Sequence, residues 1–143
     1  RLDLAHRLHA IATRAGEVMD EQQPDAVVIE EAFYHESVRS TLVLGHVRGA
    51  LLVAAVQRGL ALAEYSPREI KLSVTGSGAA SKDQVAFMVR RLLGLKGALL
   101  PDASDALGAA LCHLQRARRS EPARAMTAAA KSLEALLKGR ARK

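Results

Sequence analysis

A chain of 143 residues that is 49% hydrophobic can bury one ordinary core but not two. Aromatics make up only 3% and Trp is absent, so that core must be built from Leu, Val, Ile and Ala, which suits helices. The net charge of +6 is unevenly spread: residues 114–143 hold nine Lys/Arg against two acids, whereas residues 1–113 hold twelve basic and thirteen acidic side chains. A basic tail on a near-neutral body points to a polyanion, nucleic acid ahead of an anionic membrane surface; a merely solubilising tail is the ordinary alternative. Cys112 has no partner for an intrachain disulfide, which fits a reducing compartment. Charges interrupt each apolar run before the ~18 residues of a membrane span accumulate, and no signal-peptide core opens the chain. The expectation is therefore a soluble, cytoplasmic protein with no membrane partner.

The chain opens inside a helix: Leu2, Leu4, Ala5, Leu8, Ile11, Ala12, Ala15 and Val18 recur at three- and four-residue spacing. After a break at Gln22-Gln23-Pro24-Asp25, the β-branched run Ala26-Val27-Val28-Ile29-Glu30 reads as a short buried strand ending in a carboxylate. Residues from Ser37 to Gln57 form a long Ala/Leu/Val helix, apolar on nearly every side, whose burial needs a sheet or a partner. Gly59 stops it, and Leu60 to Tyr65 is a second strand. Ser66-Pro67 starts a short helix through Lys71 and Leu72.

The glycine-rich loop Val74-Thr75-Gly76-Ser77-Gly78-Ala79-Ala80 follows, and Ser81, with Gln84 placed for a capping box, opens a helix that ends at Gly94. A linker through Pro101 leads to Asp102-Ala103-Ser104-Asp105 at the start of the last core helix, Ala106 to about Gln115. Beyond it, the Ala/Arg/Lys-rich segment is an appended helix or a partly disordered arm. Strand, long helix, strand and further helices make an α/β pattern.

Glu30 closes a strand, and Asp102 and Asp105 sit together on one face at a helix start. Clustered hard oxygen ligands are what Mg²⁺ or Mn²⁺ requires, above all in two-metal phosphodiester hydrolysis. Taken singly, each has a plainer reading: Asp102 as a helix N-cap, Glu30 as a solvated strand end. His113 beside Cys112 invites a metal reading too, but a lone histidine there is more often a helix-end side chain.

The order of several segments narrows the choice. Ile29-Glu30-Glu31-Ala32-Phe33, Leu44-Gly45-His46-Val47-Arg48-Gly49, Glu64-Tyr65-Ser66-Pro67-Arg68-Glu69-Ile70-Lys71, the stretch from Val74 to Val85, and Asp102-Ala103-Ser104-Asp105-Ala106-Leu107 together resemble the RuvC family over about residues 1–115. The resemblance implies an α/β, ribonuclease H-like fold, a mixed sheet flanked by helices. It also implies a homodimeric Holliday-junction resolvase of recombination and repair, a Mg²⁺-dependent endonuclease that nicks two opposing strands of four-way junction DNA.

Glu30, Asp102 and Asp105 correspond to three of the family's four metal-binding acids, which would hold two Mg²⁺ ions, with Mn²⁺ as a substitute. The fourth is an aspartate on a first strand that nothing here resembles. The expected organisation is thus residues 1–115 as a resolvase domain lacking its N-terminal strands, and residues 116–143 as a basic tail. Lys71 and Lys82 correspond to cations near the scissile phosphate, and Phe33 to an exposed aromatic that stacks on bases, although a core Phe is the alternative. Gly76 and Gly78 would let backbone amides approach phosphate, or only form a turn. A branch-migration motor is a further partner the resemblance suggests. Two other classes compete: a DNA-binding remnant without catalysis, and a helical interaction fragment lacking salt-dependent DNA affinity.

Overall fold

The computed structural model describes residues 2–31 and 37–118. Helix α1 (Leu4–Gln22) is capped by Asp3, whose carboxylate accepts the His6 amide at 2.9 Å. Strand β1 (Ala26–Glu30) follows, then α2 (Val38–Val56) and β2 (Ala61–Tyr65). The two strands pair in parallel, Ala26 opposite Ala61 through to Glu30 opposite Tyr65. A helix between parallel neighbours is the βαβ arrangement that the alternation of elements implies. Every residue of β1 is half-buried, so the fully buried strand expected from its apolar run is not what forms.

Ser66 starts α3 (Pro67–Thr75) with a complete capping box, the Glu69 carboxylate accepting the Ser66 amide at 2.9 Å, and Pro67 occupies the first turn, where its missing N–H costs nothing. This helix outlasts the expectation: Val74 and Thr75, read as loop, form its last turn. It ends at Gly76 in the left-handed region, φ 79°. Ser81 and Gln84 form the second capping box, starting α4 (Lys82–Leu93), and Gly94 closes that helix as expected.

The last helix, α5 (residues 101–118), departs twice from its reading. It begins at Pro101, so Asp102 lies within the first turn instead of capping it, and it runs on past Gln115. The cause of the first departure is local: proline fits the opening helical position better than a capping one. Phe33 and the basic segment from residue 119 lie outside the described residues.

Two buried clusters form the core. Tyr65, Ile70, Ala109 and Cys112 make one, with Val28 and Ala63 against it; Val74, Ala80, Val85 and Val89 make the other. The first joins the sheet to α3 and α5, and the second joins α3 to α4, with Leu107 and Leu111 of α5 packed against it. On the other side α1 lies along α2, joined at one end by Arg58, whose guanidinium donates to both Asp20 carboxylate oxygens at 2.7 and 2.9 Å. Among the described residues α2 is long and apolar enough, by length and composition, to cross a membrane, which amends the expectation that charges interrupt each such run. Only Arg39 and Arg48 interrupt it, and Arg48 is turned onto Glu64 of β2.

Candidate active site

Parallel pairing brings the C-terminal end of β1 beside the end of β2, where α3 begins. The Glu31 amide donates to the Tyr65 carbonyl at 2.8 Å, which fixes the backbone just past Glu30. From there α3 carries Lys71 one turn beyond Pro67, α4 presents Lys82 as its first residue, and α5 contributes Asp105. Glu30, Lys71, Lys82 and Asp105 line one cavity of about 240 Å³ whose apolar floor includes Ile70 and Val85, both buried. Four charged residues from four separate elements thus meet in one place.

The electrostatics of this cavity are those of an acid pair faced by cations. Burial, and after it the negative charge of Asp105, holds the Glu30 carboxyl above its ordinary value, while Lys82 and Lys71 oppose that shift. The Lys82 ammonium stands 4.0 Å from the Asp105 carboxylate, with the lysine exposed and the aspartate half-buried. Such a pair contributes little to stability and leaves the lysine available to another anion. The donor chemistry suits a hard divalent cation: two carboxylates share one cavity, and their mutual repulsion is what a bound cation would relieve.

The other expected site residues are distributed differently. Asp102 is exposed on the first turn of α5 and does not line the cavity, so two of the three expected acids converge. Among the described residues no group of three His, Cys, Asp or Glu side chains is arranged to hold a metal. Gly76 serves as the left-handed terminator of α3, donating its amide to Leu72 at 2.9 Å. Gly78 lies against Arg68.

A polar cluster behind the site went unread in the sequence. The Tyr65 hydroxyl and His113 Nδ1 share a hydrogen bond of 2.9 Å, the Arg116 guanidinium lies 5.0 Å from the centre of the Tyr65 ring, and Arg116 also reaches Glu69 at 2.8 Å. His113, set aside as a helix-end side chain, therefore ties α5 to the end of β2. The three- and eleven-residue offsets of Arg116 from His113 and Asp105 show that they share a helix, but not that this helix crosses Tyr65.

The structure thus defines an α/β unit in which carboxylates and lysines converge at the C-terminal end of a parallel strand pair. Comparison with known proteins gives the family. A family model described as crossover junction endodeoxyribonuclease RuvC matches residues 1–113, and the chain belongs to that family. The RuvC protein of Chlorobaculum parvum is 51% identical over 114 residues, covering 79% of this chain and 61% of the relative. That of Halorhodospira halophila is 47% identical over 128 residues, covering 90% and 75%. The chain thus spans about three fifths to three quarters of the length of these curated relatives. Two solved structures of Thermus thermophilus RuvC, one in complex with Holliday junction substrate, match with TM-scores of 0.76 and 0.78 at 38% identity. They cover 83% of this chain and 72% and 73% of theirs, and they establish the ribonuclease H-like fold.

Proposed function

We propose that this chain supplies much of the catalytic domain of a structure-specific endonuclease that resolves four-way DNA junctions by metal-dependent hydrolysis. The observation that carries the proposal is the joining of Glu30 and Asp105 with Lys71 and Lys82 around a single cavity. Glu30 and Asp105 would hold the divalent cation, Mg²⁺ with Mn²⁺ as a substitute, and on the family resemblance Asp102, one turn before Asp105, joins them. When bound, two such ions would activate water and stabilise the departing oxygen of a phosphodiester. Lys71 and Lys82 hold the phosphate backbone by charge-assisted hydrogen bonds and oppose the charge that develops on it. The exposed ammonium of Lys82 can exchange its weak contact with Asp105 for a phosphate oxygen without leaving a buried group unpaired.

The proposal extends to a homodimer, cytoplasmic residence and symmetric nicking of two opposing strands. Support for the dimer lies on α2, which leaves Val38 78%, Leu42 60% and Val56 62% exposed, a large apolar face for one helix. Assembly with a branch-migration motor is supported by family membership alone. The test is nicking of a synthetic four-way junction by the full-length protein with and without Mg²⁺, beside Asp105→Asn and a linear duplex of the same sequence. Paired, Mg²⁺-dependent nicks confined to the junction and lost in the variant are expected. Binding without nicking, or equal cutting by the variant, would contradict the proposal.

A further inference from the structure

We infer that Arg68 is a further phosphate-positioning residue, seated by Gly78, so that Arg68, Lys71 and Lys82 form one cationic rim along which a DNA strand enters the cavity. The inference rests on the nuclease reading above and adds a residue and a reason for the glycine-rich loop.

Three observations carry it. First, Gly78 is not among the glycines with positive φ, so its backbone does not require the absence of a side chain. What requires it is space: a Cβ there would lie 2.8 Å from Cγ and 3.3 Å from Nε of Arg68, and 3.5 Å from the Arg68 carbonyl oxygen. A methyl group would thus meet the arginine near its root, where it cannot swing aside as a free tip would. Gly76, two residues earlier, has its own conformational reason and nothing near its Cβ position. The two glycines of the motif therefore serve different ends, a helix terminator and an arginine seat.

Second, Arg68 is placed against its own electrostatic interest. It stands in the first turn of α3, the positive end of the helix, where carboxylates are favoured and cations are not. Arg14 is held by Glu17, Arg58 by Asp20, Arg90 by the Gly97 carbonyl and Arg116 by Glu69. Arg7, Arg39 and Arg91 share with Arg68 the lack of a side-chain partner among the described residues, and of these only Arg68 has its stem seated against a glycine of the loop before Lys82. Among the described residues no hydrogen bond or ion pair holds the exposed Arg68 guanidinium. A cation fixed at its stem, unpaired at its head and set at an unfavourable helix end has the character of a ligand for an external anion.

Third, it stands beside the right chemistry. Arg68 precedes Lys71 by three residues on α3, which places the two on one helical face about 5–6 Å apart at Cβ. The loop that seats it runs directly into Lys82. A guanidinium fork suits a backbone phosphate one step along the strand from the phosphate that the lysines face.

The experiment is a salt series of binding between the full-length protein and a fluorescent four-way junction, in Ca²⁺ to prevent cutting. Each neutralised duplex phosphate contributes about −0.9 to the slope of log K against log salt. Arg68→Ala should reduce the magnitude of that slope by about one contact, and Arg68→Lys, which keeps the charge, should restore most of it. Gly78→Ala should reproduce the reduction, and the Gly78→Ala, Arg68→Ala double variant should lose no more than Arg68→Ala alone. Because Arg68 is exposed, its substitutions should leave the melting temperature nearly unchanged. A wild-type slope in Arg68→Ala would overturn the inference while leaving the nuclease reading standing. Additive losses in the double variant would overturn the seating by Gly78, and wild-type protein without salt-dependent junction affinity would overturn both readings.

Discussion

From Tyr65 onward the chain packs two buried clusters across three helices, whereas α1, β1 and α2 bury little beyond Met19, Ala54 and Ala55 and leave Leu4, Ile11, Val18, Leu42 and Val53 exposed. The candidate site takes residues from both regions. Lys71, Lys82 and Asp105 stand on helices of the dense region, and Glu30 comes from the sparse one through the pairing of β1 with β2. Rigid packing therefore sets three of the four charged groups, and a five-residue strand pairing sets the fourth. Preorganisation at this site depends on the weaker of its two supports.

Core substitution breaks or sustains that contrast most strongly. Val89 is fully buried in the dense region, and Val89→Ala should destabilise by about 2 kcal/mol through lost contact and a residual cavity. Ile11→Ala, on the partly exposed face of α1, should cost at most about 1 kcal/mol. Denaturant titrations of the two variants measure the difference, and equal losses would mean that α1 is as firmly packed as α4. A smaller, pH-dependent effect belongs to Glu69. Its hydrogen bonds from the Ser66 backbone and hydroxyl, and then its bond with Arg116, hold its carboxyl below the ordinary value. A lowered folded-state pKa gives stability that is fully present above the unfolded pKa and is lost as pH falls through the folded one. Glu69→Gln should therefore be less stable than wild type near neutral pH, and the difference should close in acid; a gap that persisted in acid would assign the loss to packing instead.

Local devices were legible in the sequence and long-range ones were not. Ser66-Pro67 and the Ser81-Lys82-Asp83-Gln84 box declare their helices because start signals lie within a few residues of one another. The start of α5 was misplaced because Asp102 is a good cap by type, while Pro101 occupies the first turn as well. Glu30, Lys71, Lys82 and Asp105 could be gathered only by family resemblance, since their meeting depends on the parallel crossover that sets β1 beside β2. The seat of Arg68 under Gly78 and the bond of Tyr65 with His113 join residues 10 and 48 positions apart in a geometry no periodicity encodes. Asp102 marks the reverse case, a motif position that the resemblance places with the acids and that lies outside the cavity.

The central claim is that Glu30 and Asp105, one from each region, form one catalytic unit. A double-mutant cycle in Mg²⁺-dependent junction nicking by the full-length protein tests it directly, using Glu30→Gln, Asp105→Asn and their combination. Each single variant should slow nicking by about 10²-fold or more, as expected when several kcal/mol of metal-assisted stabilisation is removed, and the double variant should be no slower than the worse of the two. Losses that multiply in the double variant, or a single variant that nicks at the wild-type rate, would show that the two carboxylates do not work as a unit.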